Sequence, residues 1–394
     1  MGAGAAPMWG PHGRGDLAII RALGANTVRT FGVSGAAQHR PFLDEASRLG
    51  LRVVAGIGDH PYLHTKGGCE ASNYTCYGRL KDEYAAILRS GFLLPNRTYH
   101  PAIRTVVLVN EPDIKFSPIT HSWRWCKAVV TALDGLLDAE QAARVRGPLP
   151  NLTATLSFGL CGGSCGRFRW RPALGQMEEL RRALRDPVAV VGYRPQNDLW
   201  RAYLERFEHS VNTRNPAQGK DGFLQLFMET YDKAFQGTPV FLGEYHSPSK
   251  VGLQEDLGDI LKASEDPSTL LTGVCFHEFQ VRYDKGGEEL AFGLFGLGNR
   301  SNATLRLSGS EYTSWCLAPM GAPREVKQCG RVEGGVDYVV DGGWKFHMDH
   351  VPNPSVCCAK CMEVPGCKAW TWIEDDGLDG CGVGAIPSMR RSST

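Results

Sequence analysis

Residues 103–113, IRTVVLVNEPD, form an apolar, β-branched run that ends in Asn110-Glu111-Pro112. Such a run is typical of a strand that is buried on both faces of a parallel sheet. A second run of this kind, TPVFLGEYHSP at 238–248, ends in Gly243-Glu244-Tyr245. The two runs predict two glutamates at the carboxyl ends of parallel strands, the edge at which (β/α) barrels build their sites.

The chain around these two runs alternates strands with amphipathic helices. DLAIIRALG (16–24) and PFLDEASRLG (41–50) are predicted helices that end at a glycine, and each is followed by a predicted strand. The alternation continues to about residue 298 and favours an α/β fold, a (β/α)8 TIM barrel. A doubly wound nucleotide-binding sheet is disfavoured because no Gly-x-Gly-x-x-Gly follows a strand. No strand precedes residue 16, so we expect the barrel to lack its first strand.

The sixth barrel strand has two candidates in the sequence. VAVVGY (188–193) and FEHSVNT (207–213) both have strand character, and the predicted helix NDLWRAYLER lies between them. The second candidate is favoured because the predicted helix at 221–235 follows it directly. The first remains open as an alternative, also as a substitute for the missing first strand.

Composition excludes several classes of function. The 394 residues carry 43 Lys+Arg and 42 Asp+Glu, a formal charge of +1, so there is no electrostatic footprint for nucleic acid. No apolar run approaches the length of about 18 residues that spans a bilayer. The N-terminus has no signal-peptide pattern, which together with the missing strand leads us to expect a truncated start.

Cysteines and glycosylation sequons indicate an oxidising compartment. There are 13 cysteines, and the close pairs Cys69 with Cys76 and Cys161 with Cys165 are predicted disulfides. A zinc site at Cys358-x-x-Cys361 is disfavoured because no second ligand pair follows it. We therefore expect a secreted, cell-surface or cell-wall protein without metal or other cofactor. Five Asn-x-Ser/Thr sequons support this location: Asn73, Asn96, Asn151, Asn299 and Asn302.

The tail differs in composition from the barrel, with seven cysteines from Cys316 onward. A domain of this size usually requires disulfides for stability. SVCCAKCMEVPGCKAWTWIEDDGLDGC (355–381) resembles PAN/apple modules, which implies a glycan or protein ligand. The expected organisation is a barrel at 1–310, a linker at 311–328 and a PAN/apple-like module at 329–385.

The barrel resembles clan A glycoside hydrolases, in which Asn-Glu ends strand four and Glu ends strand seven. GANTVRTFGV (24–33), PVFLGEYHSP and VCFHEFQ (274–280) are similar to strands of β-1,3-glucanosyltransferases and plant-type β-1,3-glucanases. This resemblance implies that Glu111 is the acid/base, Glu244 the nucleophile and Asn110 a partner of the sugar 2-hydroxyl. It also places Arg29 beside the nucleophile.

Four further residues are weaker candidates for binding a sugar. They are His60, Asn212, Tyr245 and Phe276, and each has an ordinary role in a strand, loop or core as its alternative.

Together these features predict a retaining β-glycosidase or transglycosidase with a polysaccharide or oligosaccharide substrate, expected to be a β-1,3-glucan. Two alternatives remain open. One is a non-catalytic carbohydrate-binding or adhesion protein on a barrel scaffold, and the other is the same chemistry on β-mannan or cellulose.

Overall fold

The computed structural model describes residues 1–64, 68–246, 252–307 and 310–320, and the backbone of three short strands at 346–348, 369–372 and 389–392. The chain divides into two compact units. One contains residues 1–6 and 20–277, and the other contains residues 7–19 and 278–394.

A seven-stranded parallel sheet forms the centre of the first unit. Its strands follow one another in sequence order, so each strand pairs with the next one along the chain. The sheet curls until β1 approaches β7, and helices connect its strands, as in a (β/α) barrel. The strands are β1 (Thr27–Val33), β2 (Arg52–Ile57), β3 (Ile103–Asn110), β4 (Asn151–Ser157), β5 (His209–Thr213), β6 (Val240–Tyr245) and β7 (Leu271–Phe276).

Helical structure is present in the four segments predicted at 16–24, 41–50, 197–206 and 221–235, whereas the helices at 6–9, 112–115, 174–185 and 187–191 were not predicted. Three π-helical turns lie at His60–His64, Leu88–Phe92 and Leu224–Met228, and 3-10 turns lie at Ala3–Ala5, Gly162–Ser164 and Gly287–Ala291. The α-helices are α1 (Ala6–Trp9), α2 (Asp16–Ala22), α3 (Arg40–Arg48), α4 (Tyr77–Ile87), α5 (Pro112–Lys115), α6 (Ser122–Ala142), α7 (Leu174–Arg185), α8 (Pro187–Val191), α9 (Leu199–Arg206), α10 (Glu229–Ala234) and α11 (Leu253–Ser264).

The structure decides between the two candidates for the sixth barrel strand. Residues 209–213 form β5 between β4 and β6, which confirms the favoured candidate. The alternative was wrong, because Pro187–Val191 is the helix α8. That segment therefore does not substitute for a first strand either.

Inward-facing side chains fill the barrel below the carboxyl ends of its strands. Val54, Val107 and Phe241 form an apolar cluster, and Cys275 packs against it. Deeper in the barrel, the buried Glu208 accepts hydrogen bonds from Thr105, Asn151 and Arg104. A buried carboxylate with several donors avoids most of the desolvation penalty.

Two of the expected disulfides are formed, Cys69–Cys76 and Cys161–Cys165. Of the other cysteines in the described ranges, Cys126 and Cys275 are free thiols, and Cys316 is disulfide-bonded. The cysteines expected to staple the tail, from 329 onward, lie outside the described residues.

The second unit contains a long antiparallel hairpin. Its strands are β8 (Phe295–Leu307) and β9 (Ser310–Pro319), which pair from Phe295 with Pro319 to Leu307 with Ser310. Residues 311–319, expected to begin a linker, are therefore part of a strand. Three short strands, β10 (Phe346–Met348), β11 (Ala369–Trp372) and β12 (Met389–Ser392), form an antiparallel sheet in the order β10-β12-β11. The rest of the expected module at 329–385 lies outside the described residues.

None of the helices in the described ranges combines the length and apolar character that a membrane-spanning segment requires.

Candidate active site

Glu111 occupies the turn between β3 and α5. Its backbone is left-handed (φ 53°, ψ 52°), a conformation that costs free energy for any residue other than glycine. The Glu111 amide donates to the Thr155 carbonyl at 2.7 Å, and Pro112 begins α5 immediately afterwards. The hydrogen bond from the Glu111 amide to β4 fixes the turn, and α5 begins directly after Glu111. Together they fix the direction of the Glu111 side chain.

Glu244 lies near the carboxyl end of β6, next to an irregularity in strand pairing. The register between β5 and β6 shifts after Val211, so that Asn212 pairs with Glu244. The Glu244 Oε1 atom accepts a hydrogen bond from Asn110 Nδ2 at 3.0 Å and lies 3.6 Å from Arg29 Nη1. Its side chain is mostly buried.

Two asparagines connect the two glutamates. Asn212 Nδ2 donates to Glu111 Oε1 at 3.1 Å and to Asn110 Oδ1 at 3.2 Å. Asn110 in turn donates to Glu244. The ends of β3, β5 and β6 are therefore tied into one hydrogen-bonded network that contains both carboxyl groups.

Arg29 supplies the positive charge of this network from β1. Its guanidinium donates to Asn110 Oδ1 at 2.8 Å, to Thr155 Oγ1 at 3.2 Å and to Asn212 Oδ1 at 3.3 Å. Gly243 leaves room for it, because a Cβ atom there would lie 2.6 Å from Arg29 Nη1. Burial lowers the pKa of Arg29, whereas the negative charge of Glu244 raises it. A guanidinium nevertheless remains protonated at neutral pH.

The environment of Glu111 favours its protonated form. Burial raises the pKa of the Glu111 carboxyl, the hydrogen bond from Asn212 lowers it, and the negative charges of Glu244 and Asp113 raise it further. The net direction is upward. A carboxyl group with a raised pKa remains protonated nearer to neutral pH, which a general acid requires.

Asp113 stabilises the turn that contains Glu111. This fully buried carboxylate accepts hydrogen bonds from the Ser157 amide and from Ser157 Oγ, the latter at 2.6 Å. Gln176 Nε2 on α7 also reaches it. Asp113 therefore connects the start of α5 to the end of β4.

Two residues that the sequence analysis missed lie beside this network. The ring of Phe31 is 46% exposed, and the Arg29 guanidinium lies over it at 4.7 Å from its centroid. His277 meets Phe31 edge-on, and its Nδ1 atom is 4.0 Å from Glu244 Oε2. Phe31 follows Arg29 by two positions on β1, the strand spacing that places two side chains on one face.

Three of the predicted binding residues lie away from this network. Tyr245 is fully buried, and its hydroxyl donates to Asp256 on α11, so it faces the helices rather than a sugar. Tyr245 directly follows Glu244, and adjacent residues on a strand point to opposite faces, so the two side chains do not share a face. His60 is exposed in the turn after β2, and Phe276 is half-buried at the end of β7.

Two carboxyl groups on facing strands, one of them biased toward protonation, can together carry out proton transfer and nucleophilic attack at one carbon. Neither step of this chemistry requires a metal or an organic cofactor.

Comparison with known proteins gives matches at the level of structure. No family model and no curated protein matches the chain. ScGas2 in complex with compound 8 superimposes with a TM-score of 0.50 and 13% identity over 76% of this chain and 56% of that one. What is shared is the fold.

Two further structures match at a similar level. Saccharomyces cerevisiae Gas2p in complex with laminaripentaose has a TM-score of 0.48 and 13% identity, over 76% of this chain and 56% of that chain. The AHE enzyme from Alicyclobacillus herbarius has a TM-score of 0.48 and 15% identity, over 72% of this chain and 81% of that chain. This chain thus spans just over half the length of the Gas2 chains.

Proposed function

We propose that this protein is a retaining β-glycosidase or transglycosidase that acts on a β-linked glucan. The observation that carries the proposal is the network in which Asn110, Asn212 and Arg29 join Glu111 to Glu244. Two acidic residues with only a structural role would not need to be joined through amide donors in one network. A double displacement needs both carboxyl groups held in fixed positions on either side of one bond.

In the first step, Glu244 attacks the anomeric carbon and the glycosidic bond breaks. The leaving oxygen takes the proton of Glu111, whose raised pKa keeps that proton available. Asn110 donates to Glu244 and so holds the attacking oxygen in place. The charge of Arg29, whose Nη1 atom lies 3.6 Å from Glu244 Oε1, attracts the Glu244 carboxylate.

In the second step, water or the hydroxyl of another sugar attacks the glycosyl-enzyme. The ionised Glu111 removes the proton of this nucleophile, the bond to Glu244 breaks, and both carboxyl groups return to their initial states. Attack by water gives hydrolysis, and attack by a sugar hydroxyl gives transfer. The β configuration is retained because each step inverts the anomeric carbon once.

The proposed substrate is a β-1,3-glucan. The sequence resemblance to β-1,3-glucanosyltransferases motivates this choice, and a protein of the same fold, Gas2p, has been solved with laminaripentaose. The exposed ring of Phe31 next to the network offers an apolar face on which a sugar ring can stack. We further propose that the protein acts in a cell wall or outside the cell, and that its tail binds glycan or protein.

The test separates the roles of the two glutamates. Purified Glu111→Ala and Glu244→Ala variants are assayed on laminarin and on an aryl β-glucoside, with and without azide, and the anomeric configuration of the products is followed by NMR. Glu205→Gln is the matched control, because Glu205 is an exposed acid paired with Arg201 on α9. Cellulose and mannan are assayed in parallel.

We expect Glu244→Ala to lose activity on every substrate and to give a product of inverted configuration with azide. Glu111→Ala should lose activity on laminarin and keep the first step on the aryl glucoside, where azide speeds turnover and configuration is retained. Swapped rescue patterns would reverse the two roles. Wild-type activity in both variants would exclude Glu111 and Glu244 as the catalytic pair and so contradict the proposed mechanism. A wild type without activity on any of the glucans would contradict the proposal in favour of a non-catalytic binding protein.

A further inference from the structure

The sequon at Asn96 lies at the tip of a tight turn. Leu93 and Tyr99 form a bridge across its base, and the Leu94 amide donates to the Thr98 carbonyl at 2.9 Å. The side chain of Asn96 is exposed. Its Oδ1 atom accepts hydrogen bonds from the Thr98 amide at 3.1 Å and from Thr98 Oγ1 at 2.8 Å. Within the described ranges, no atom accepts a hydrogen bond from Nδ2 of Asn96.

This arrangement favours reaction at the amide nitrogen. A hydroxyl that donates to the carboxamide oxygen withdraws electron density from the amide and makes the Nδ2 protons easier to remove. In the part of the chain that the structure describes, the nitrogen has no hydrogen-bond partner to lose. The two hydrogen bonds from Thr98 to Asn96 Oδ1 depend on the Asn-x-Thr spacing and on the backbone conformation of this turn.

The sequon at Asn73 is presented by a disulfide loop. Cys69 and Cys76 are bonded and fully buried, and the Asn73 amide donates to the Glu70 carbonyl within the loop. Asn73 and Tyr74 both have positive φ angles. Tyr74 is buried edge-on against Trp123, while Asn73 is exposed. The loop is therefore fixed at both ends and directs the Asn73 side chain outward.

In two other sequons the asparagine Nδ2 atom already donates a hydrogen bond. Asn151 Nδ2 donates at 3.1 Å to Glu208, the buried carboxylate inside the barrel. Asn302 Nδ2 donates at 2.8 Å to the Pro7 carbonyl. A sugar on Asn151 would remove one donor from a buried charge and would need space inside the barrel, which is filled with side chains.

We propose that Asn73 and Asn96 are N-glycosylation sites and that Asn151 and Asn302 remain unmodified in the folded protein. The donor is a lipid-diphosphate-linked oligosaccharide. Asn Nδ2 forms a bond to the anomeric carbon of its first sugar while the bond from that carbon to the diphosphate oxygen breaks. The lipid diphosphate leaves with the electron pair, and the Nδ2 proton passes to a base of the transferase.

The experiment expresses the full chain behind a cleavable secretory leader in a eukaryotic host, with an additional sequon in a C-terminal tag. The secreted protein is treated with peptide N-glycosidase in heavy-oxygen water, which converts each glycosylated Asn to a labelled Asp. Peptide mass spectrometry then gives the occupancy of each site. Thr75→Ala and Thr98→Ala destroy one sequon each, and Thr75→Ser and Thr98→Ser are the matched controls that preserve it.

We expect label at Asn73 and Asn96 and in the tag, and none at Asn151 or Asn302. Each Thr→Ala variant should lose one glycan, seen as a gain in gel mobility, and each Thr→Ser variant should retain it. An occupied tag with empty Asn73 and Asn96 would overturn the proposal. So would label at Asn151 in protein that unfolds cooperatively, because the amide of Asn151 would then not be required inside the barrel.

Discussion

Asn212 adjusts the proton affinity of Glu111, since its hydrogen bond lowers the pKa of that carboxyl more than the charge of Lys115 does. In Asn212→Ala the pKa of Glu111 rises further, because burial and the charges of Glu244 and Asp113 remain. We expect the alkaline limb of the kcat/KM profile to move to higher pH. The maximum should fall about tenfold to a hundredfold, as a hydrogen bond to a charged group is worth about 1.5–3 kcal/mol.

The pH profile of kcat/KM on a soluble glucan oligosaccharide checks this expectation. Asn26→Ala is the control, because Asn26 is exposed beside β1 and its side chain accepts a hydrogen bond from its neighbour Thr27. An alkaline limb that stays in place or moves to lower pH would show that Glu111 is not the group that titrates there.

Single residues of the site differ in how well the sequence predicted them. Glu111, Glu244, Asn110, Arg29 and Asn212 were all predicted and meet in one network, because strand ends in a parallel sheet share one edge. Phe31 and His277 were missed because a ring's position over a guanidinium depends on the curvature of the sheet. Strand alternation alone would have excluded Tyr245 once Glu244 was taken to face inward.

Among the elements, β5 is unusual because its buried residues are mostly polar. His209 is fully buried between Tyr231 and Tyr203, whose hydroxyls lie 2.9 and 3.2 Å from its ring nitrogens. Burial lowers the pKa of His209 to about 3, with the charge of Arg181 as a further cause. An imidazole in an unfolded chain has a pKa near 6.5.

This difference makes stability depend on pH with a definite sign. Between about pH 6.5 and about pH 3 the unfolded chain binds a proton at His209 that the folded chain does not. The free energy of unfolding contributed by His209 is therefore full above about pH 6.5 and falls by about 1.4 kcal/mol per unit on acidification through that range. Residues with raised carboxyl pKa values, such as Glu111, act in the opposite direction.

Urea denaturation of the wild type and His209→Gln at several pH values isolates this contribution. Glutamine is neutral at all these pH values, so the variant should lose less stability on acidification and its curve should be flatter. His121→Gln is the control, because His121 is exposed. Parallel curves for the wild type and His209→Gln would mean that His209 can be protonated in the folded protein.

The elements also show where sequence patterns were ambiguous. VAVV at 188–191 has the β-branched composition of a strand, yet local signals make it a helix. Asp186 caps it by accepting from the Ala189 amide, Pro187 is its first residue, and Gly192 closes it in a left-handed conformation. In contrast, β5 has weak strand propensity, and its buried His209, Ser210 and Asn212 side chains find their partners in distant segments of the chain, which no local pattern reveals.

At the scale of the whole molecule, the linker expected to begin at residue 311 starts inside β9, and so does the cysteine-rich stretch that begins at Cys316. A cut before Cys316 would remove Leu317, Ala318 and Pro319, which pair with the start of β8. It would also leave Trp315 as a chain end, although the Trp315 carbonyl accepts a hydrogen bond from the buried Arg14 at 2.9 Å. A truncation that tests the tail must therefore keep the complete hairpin.

We expect residues 1–320 to keep the hairpin and to unfold as cooperatively as the full chain. Residues 1–309 should be less stable, because deletion of β9 removes the strand that pairs with β8 and the carbonyl that accepts from Arg14. The 1–320 chain carries Cys316→Ser, so that no new intermolecular disulfide forms. The 1–309 chain does not contain this residue. Thermal unfolding followed by circular dichroism measures the difference.

The same pair of truncations tests the proposed role of the tail. If the residues after 320 bind glycan, the 1–320 chain should keep its kcat/KM on soluble laminari-oligosaccharides and lose most of its binding to insoluble β-1,3-glucan in a sedimentation assay. Multivalent attachment is the physical reason, since a second binding module raises the effective concentration of the barrel at a polymer surface. Undiminished sedimentation of the 1–320 chain would assign that binding to the part of the protein before residue 321. Loss of activity on soluble substrates with cooperative unfolding intact would show that the tail contributes to the site itself.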